Sequence, residues 1–187
     1  MTKVVFGMTM SLDGFVNDAE GRMSALYPDM QELGESELMR EAVFATGAVI
    51  MGRTTFDMAP PDSYAVDYEF QVPIFVVTSR IPNNKPQEND RLSITFVDGA
   101  KAAVALAKQA AGDKEVTVVG GTKLGMQLLR AGLVDELQIG IIPVLLGEGL
   151  RLFDGLADLD IELRKTRVIE TGERTDLFFS VSAARPE

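Results

Sequence analysis

Short runs of apolar and β-branched residues alternate with longer segments of helical spacing along this chain, which predicts an α/β sandwich with a largely parallel sheet. Val4 to Met10 reads as the first strand. The polar, glycine-punctuated stretch from Ser11 to Ser24 is too long for a tight turn and is expected to be a functional loop. Asp29 to Ala45 has Met30, Leu33, Leu38, Ala42 and Ala45 at spacings that share one helical face. Val49 to Met51 is a short buried strand, and Thr54 to Met58 starts a helix that Pro60 and Pro61 stop.

The almost continuous apolar run Ile74-Phe75-Val76-Val77 is what a sheet covered on both faces requires. An exposed loop is expected from Asn83 to Arg91, a strand from Ile94 to Val97, and a helix over alanine-rich Gly99 to Ala111. Val116 to Val119 forms a strand ending in Gly120-Gly121, after which Lys123 to Ala131 makes a helix closed by Gly132. Leu137 to Leu146 reads as a long apolar strand whose Pro143 marks a bulge or a sheet edge. Ile161 to Ile169 and Arg174 to Ser182 close the chain as an antiparallel pair around a turn at Glu170 to Glu173. No internal repeat or linker divides the 187 residues, so a single domain is expected, with helices on both faces of a mixed, mainly parallel sheet and the antiparallel pair at one edge.

Composition narrows the chemistry. The chain has neither histidine nor cysteine, which excludes imidazole triads, thiolate nucleophiles, disulfides and metal sites built on those ligands. What remains is carboxylates, hydroxyls, lysine, arginine, water or a borrowed cofactor. With 18 basic against 28 acidic side chains the formal charge is −10, which opposes non-specific binding to nucleic acid or an anionic membrane. No apolar run approaches the roughly 20 residues that span a bilayer. A cytoplasmic location is expected, since the first residues run straight into a strand without a leader pattern.

Three strand-to-helix junctions carry anion-binding features. Gly120-Gly121-Thr122 follows one strand, and glycines there let backbone amides approach a phosphate at a helix N-terminus or simply make a tight turn. Met51-Gly52-Arg53-Thr54-Thr55-Phe56 repeats the arrangement, with an arginine fork and two hydroxyls suited to a phosphate or to helix capping. Val77-Thr78-Ser79-Arg80 again places hydroxyls and an arginine after a buried strand. Ligands of open α/β sheets gather outside the carboxyl ends of the strands, so one ligand with several phosphates accounts for all three. Asp13, in Ser11-Leu12-Asp13-Gly14-Phe15, either orients a substrate amine or passes a proton, or else bonds its own backbone as a turn residue. Glu35, Glu37 and Arg40 lie on the first long helix, where solvated ion pairing is the ordinary role.

The order and spacing of these junctions resemble the dihydrofolate reductase fold. Ser11-Leu12-Asp13-Gly14 and Pro143-Val144-Leu145-Leu146-Gly147-Glu148-Gly149 are more similar to its relative, the C-terminal reductase domain of the bacterial bifunctional riboflavin biosynthesis deaminase/reductase. The resemblance runs from Val4 to about Val181. It implies that Gly52, Arg53, Thr54 and Thr55 meet the pyrophosphate and adenosine phosphate of NADPH, and that Thr78, Ser79 and Arg80 surround the adenosine end. It further implies that Gly120, Gly121, Thr122, Lys123 and Leu124 hold the pyrophosphate, with Met8, Thr9, Val16 and Asn17 walling the nicotinamide. The two arginines would favour NADPH over NADH.

Departures from the folate enzymes shift the expected substrate. In an ungapped register Ser36 takes the place of their helix carboxylate, with Glu35 and Glu37 one residue away, while Glu37 and Arg40 replace apolar residues that would grip folate. A smaller, more polar heterocycle, such as an aminopyrimidine bearing a ribosyl phosphate, suits that pocket, with Arg40 as its phosphate partner. The resulting expectation is an NADPH-dependent reductase resembling 5-amino-6-(5-phosphoribosylamino)uracil reductase, with Asp13 and then Glu37 as acid or orienting group. A true dihydrofolate reductase and a non-catalytic nucleotide-binding protein are the alternatives. The resemblance also implies a homodimer, expected to form through Leu137 to Leu146.

Overall fold

The computed structural model describes residues 2–83, 86–156 and 159–183. In chain order the elements are β1 (Val4–Ser11), β2 (Phe15–Asn17), α1 (Met30–Glu35), α2 (Glu37–Ala45), β3 (Thr46–Gly52), α3 (Arg53–Phe56) and α4 (Tyr64–Asp67). They continue with β4 (Ile74–Val77), β5 (Ile94–Val97), α5 (Ala100–Ala111), β6 (Glu115–Val119), α6 (Thr122–Arg130), β7 (Glu136–Ile142), β8 (Leu150–Arg151), β9 (Ile161–Thr171) and β10 (Arg174–Ala183). Eight strands form one sheet in the order β5-β4-β3-β6-β1-β7-β10-β9, and β2 pairs with β8 beside it. All neighbours from β5 to β7 run parallel, whereas β10 is antiparallel to both β7 and β9. This is the expected single α/β domain with a closing antiparallel pair at one edge.

Alternation along each strand separates two apolar layers. Val4, Phe6, Ala48, Ile50, Val116, Val118, Leu137 and Ile139 pack with Ala103, Val104 and Ala107 of α5 and with Leu124, Leu128 and Leu129 of α6. Val49, Met51, Ile74 and Val76 point the other way and join Phe56, Tyr64, Phe70 and the inner side of α2, Met39, Ala42 and Val43. Helices therefore cover both faces, which is why β4 needs no polar position.

Three sequence expectations are corrected. The helix expected from Asp29 to Ala45 is two helices, because Ser36 sits in extended conformation (φ −67°, ψ 158°) and caps both. Its hydroxyl donates to the Leu33 carbonyl at 2.6 Å and accepts from the Met39 amide at 3.1 Å. Met30 is consequently swung out to 60% exposure instead of sharing the buried face. The apolar stretch from Leu137 to Leu146 is not an edge strand: β7 lies between β1 and β10, and ends one residue before Pro143. Pro143 stops the strand, so the amide it lacks is not missed by the ladder. The polar stretch from Ser11 to Ser24 contains β2, too short for its apolar pair Phe15 and Val16 to show a period. The loop expected from Asn83 to Arg91 is irregular where described, with residues 84 and 85 outside the described residues. No helix among the described residues is long and apolar enough to cross a membrane.

α6 is docked on β1 through a glycine. A Cβ on Gly125 would overlap three carbons of the Phe6 ring, which is itself fully buried. Gly125→Ala should therefore cost about 1–3 kcal/mol by overpacking. In thermal unfolding this should appear as a midpoint lowered by roughly 2–10 °C; an unchanged midpoint would show that α6 is free to lift.

Candidate functional site

Because β3, β4, β6, β1 and β7 run parallel, their carboxyl ends open on the same side of the domain. β1 sends its chain over one face through α1 and α2 toward β3, while neighbouring β6 sends its chain over the other face through α6 to β7. Such a divergence leaves a crevice at the strand ends.

The three junctions meet at the β3 and β6 end of this crevice. Gly120 and Gly121 both have left-handed φ values, 59° and 72°. A Cβ on Gly120 would lie 2.9 Å from Cγ2 of Thr55, and one on Gly121 would lie 3.3 Å from the Thr55 hydroxyl and 3.9 Å from the Gly52 nitrogen. Only glycines can hold that backbone against α3. Gly121 is the N-cap of α6 and no side chain caps that helix, so the first amides of Thr122, Lys123 and Leu124 stay available to an anion. Arg53 Nε bonds both carboxylate oxygens of Asp57 at 2.8 Å, and its Nη1 donates to the Arg80 carbonyl at 3.1 Å. Thr78 Oγ1 accepts from the Arg80 amide at 3.1 Å and fixes that turn. Gly52, not a threonine, is the N-cap of α3, and neither Thr54 nor Thr55 caps it. Thr54, Ser79, Arg80 and Lys123 are exposed around this cradle.

The residues expected beside a nicotinamide are divided by the strand alternation. Met8 and Val16 pack on the side of α5 and α6. Thr9 points to the opposite face and accepts from Arg174 at 3.1 Å. Asn17 accepts from the Leu150 amide at 2.9 Å and, with Glu148 and Gly149, lines an open depression of about 450 Å³.

Asp13 is committed to its surroundings. The Ser11 hydroxyl donates to it at 2.6 Å, and the Leu146 and Gly147 amides donate at 3.2 and 2.7 Å. These bonds, the Ser11 hydroxyl foremost, hold its carboxyl down to about 2 against the opposing effect of desolvation. At neutral pH Asp13 is an acceptor without a proton to give. It staples the turn after β1 to the loop after β7, so the two motifs most similar to the riboflavin enzymes touch each other. Glu37 and Arg40 are exposed on the first turns of α2, and Arg40 donates to the Glu35 carbonyl at 2.7 Å. Neither is brought to the Asp13 clamp by any hydrogen bond or ion pair shown among the described residues.

Sequence reasoning missed a buried cluster at the β1, β7 and β10 end. Arg174, only 2% exposed, bonds Asp29 through Nε and Nη2 at 2.7 and 3.0 Å, and its Nη1 lies 3.9 Å from Asp176 Oδ1. Arg174's hydrogen bond lowers the Asp29 carboxyl, whereas burial raises that of Asp176, aided by Asp29 and opposed by Arg174. The available signal was the charged pair Arg174 and Asp176 on a strand whose two faces also carry Leu177, Phe178 and Phe179. Charges on the buried side of a strand must find partners inside.

The chain is 27% identical over 179 residues to YwjB of Bacillus subtilis, an uncharacterized protein, covering 95% of this chain and 97% of that one. The "putative riboflavin biosynthesis protein" of Shewanella sp. PV-4 superposes with a TM-score of 0.73 at 24% identity, covering 97% of this chain and 99% of that one. The riboflavin biosynthesis reductase Rib7 of Saccharomyces cerevisiae superposes with a TM-score of 0.65 at 15% identity, over 97% and 90% of the two chains. Residues 2–177 match the model of the RibD C-terminal domain family, and the chain therefore belongs to that family.

Proposed function

We propose that this protein is a reductase that takes its reducing equivalents from NADPH and acts on a small nitrogen heterocycle, of the type reduced in riboflavin biosynthesis. One observation carries the reading: three separate strand ends converge into a single cradle of glycine backbone, hydroxyls and arginines. That donor set fits a dinucleotide carrying an extra phosphate. Gly120, Gly121 and the uncapped start of α6 would receive the pyrophosphate, and Arg53, Thr54, Thr78, Ser79 and Arg80 the adenosine phosphate. When bound, the coenzyme supplies the hydride. The chain's task is to hold it, to align the heterocycle and to exclude water, a task that needs neither histidine nor cysteine.

Asp13 positions the loops and does not relay protons. Its clamp brings the 146–147 backbone against the turn after β1, forming the rim along which Asn17 and Glu148 stand. A homodimer belongs to this proposal; β7 has neighbours on both sides, so the contact would not be edge pairing through that strand. The apolar groove of about 210 Å³ lined by Leu129, Leu137, Phe153, Leu156, Ile161 and Leu163 offers a face.

Calorimetric titration of the wild type should show NADPH bound more tightly than NADH. Replacing both Arg53 and Arg80 by alanine should weaken NADPH by roughly ten- to a hundredfold, the loss of about 1.5–3 kcal/mol expected when a charged hydrogen bond goes, with NADH nearly unaffected. Equal losses for both coenzymes would remove the arginines from the extra phosphate. Uptake of neither coenzyme would defeat the reductase reading, and oxidation of NADPH by dihydrofolate alone would redirect it to folate.

The clamp gives a pH prediction. A carboxyl lowered by native bonds contributes stability above the unfolded value near 3.9 and loses it as pH falls through the folded value. Protection of the Leu146 and Gly147 amides, measured relative to their intrinsic exchange rates, should be high at neutral pH and fall as pH drops from about 4 toward 2. Asp13→Asn should leave both amides weakly protected at every pH; retained protection would show that other contacts hold the loop.

A further inference from the structure

On the face that carries α2, one row of residues crosses five strands: Val119, Gly7, Gln138, Phe178 and Arg167. α2 is tied at both ends of this row. Met39, Ala42 and Val43 pack in the layer that includes Val119, while Glu41 accepts from Arg167 on β9 at 2.6 Å. Between those anchors the floor is open above Gly7, where a Cβ would meet nothing closer than the Gln138 carbonyl at 4.0 Å. The next row toward the strand ends is Thr9, Gly140 and Asp176. A side chain at Gly140 is forbidden, since its Cβ would lie 2.6 Å from Arg174 Nη1 and 2.8 Å from Asp176 Oδ1.

Asp176 is 8% exposed, and its Oδ2 has no hydrogen-bond partner. A buried carboxyl oxygen left unsatisfied is costly and calls for a partner supplied from outside the chain. Arg174 meets this need only in part: two of its N–H groups go to Asp29, others go to Thr9 and the Leu26 carbonyl, and Nη1 stands 3.9 Å from Oδ1, which leaves Oδ2 without a donor. Arg174 and Asp29 are the charged groups beside Asp176, with the Tyr27 ring against the Arg174 guanidinium and the Glu41–Arg167 pair across the next row. An added negative charge at Asp176 is therefore poorly compensated until a cationic or N–H-bearing group arrives.

We infer that Asp176 is the specificity-determining carboxyl of the substrate recess, with Oδ2 taking the amidine-type edge of an aminopyrimidine, a ring nitrogen beside an exocyclic amino group. Gln138 on the floor, whose Nε2 donates to Glu136 Oε1 at 3.3 Å, offers its amide oxygen to the neighbouring ring position. The inference deepens the reductase reading and rests on it only for the identity of the bound molecule as substrate. The carboxyl sought on the first helix, at Glu35 or Glu37, thus lies on the opposite wall, on β10.

The test is magnetic resonance of the full chain labelled at the aspartate carboxyl carbons, titrated with 2,4-diaminopyrimidine. In the wild type the Asp176 resonance should titrate above the usual aspartate range because of its burial, and should move toward the ionised position as the probe binds. Asp176→Asn keeps the volume and leaves the Asp29–Arg174 pair intact; it should weaken the probe at least tenfold while the dispersed amide spectrum persists. Equal binding by wild type and D176N, or an Asp176 resonance that stays still up to the solubility limit of the probe, would overturn the inference. NADPH uptake with a silent Asp176 sinks this inference alone. A responding Asp176 in a protein that takes up neither coenzyme sustains the recess and sinks the reductase reading.

Discussion

The constraint on which this molecule depends is the parallel pairing of β5, β4, β3, β6, β1 and β7. Parallel strands require crossovers, and every crossover starts where a strand ends, so chemically useful junctions are stacked on one side of the sheet. Insertion of β6 between β3 and β1 brings Gly120 and Gly121 against Thr55 and the Gly52 nitrogen. Placing β4 beside β3 sets the Arg80 turn within reach of Arg53. None of these contacts is local in sequence. Each follows from strand order, and the apolar layers on both faces hold that order in place.

At the other end of the site the limiting term is the cost of buried charge. Arg174 is on a strand with apolar neighbours on both faces, and an unpaired guanidinium there would cost several kcal/mol. It recruits Asp29, which belongs to the segment following β2, and so fixes the entry of α1 against the sheet. α1 buries none of its residues, so this ion pair, the fully buried Leu26 and the Tyr27 ring dock the segment where apolar packing cannot. Asp13 does comparable work from a half-buried position, joining two loops by accepting three hydrogen bonds. Carboxylates near the ligand end thus fall into those consumed by holding the fold and one, Asp176, with an oxygen to spare.

The β4 and β5 strands, α5 and the strand-to-helix junctions were legible because their signals are local: apolar runs, alanine content, glycine at a strand end. β4 and β5 coincide with the expected residues, and α5 and α6 differ only at their ends. The break at Ser36 was harder to see, since helical spacing continues through it and only the capping hydroxyl reveals the stop. Pro143 points to a bulge or an edge, but it follows the last residue of β7, and the continuous apolar run is what a central strand demands. The Asp29–Arg174–Asp176 cluster was illegible in principle from spacing, as its members lie on segments joined only by the sheet. What the sequence shows is two charges two residues apart, hence on one side of a strand, where burial of that side demands partners.

The balance of charge explains the division of labour within the site. A chain of net charge −10 repels a polyphosphate at long range, and that repulsion is screened beyond about 8–10 Å at physiological salt. Within the cradle only short-range donors matter, and backbone amides at an uncapped helix start carry partial positive charge without a side chain to order. Arg53 is already immobilised by Asp57 and the Arg80 carbonyl, so little rotamer freedom remains to be lost when an anion arrives. At the far end the sign reverses: Asp29 neutralises Arg174, leaving Asp176 with an unpaired oxygen. In the proposed reading a polyanionic carrier lies at one end of the crevice and a nitrogen-rich guest at the other, because the two ends prefer opposite charges.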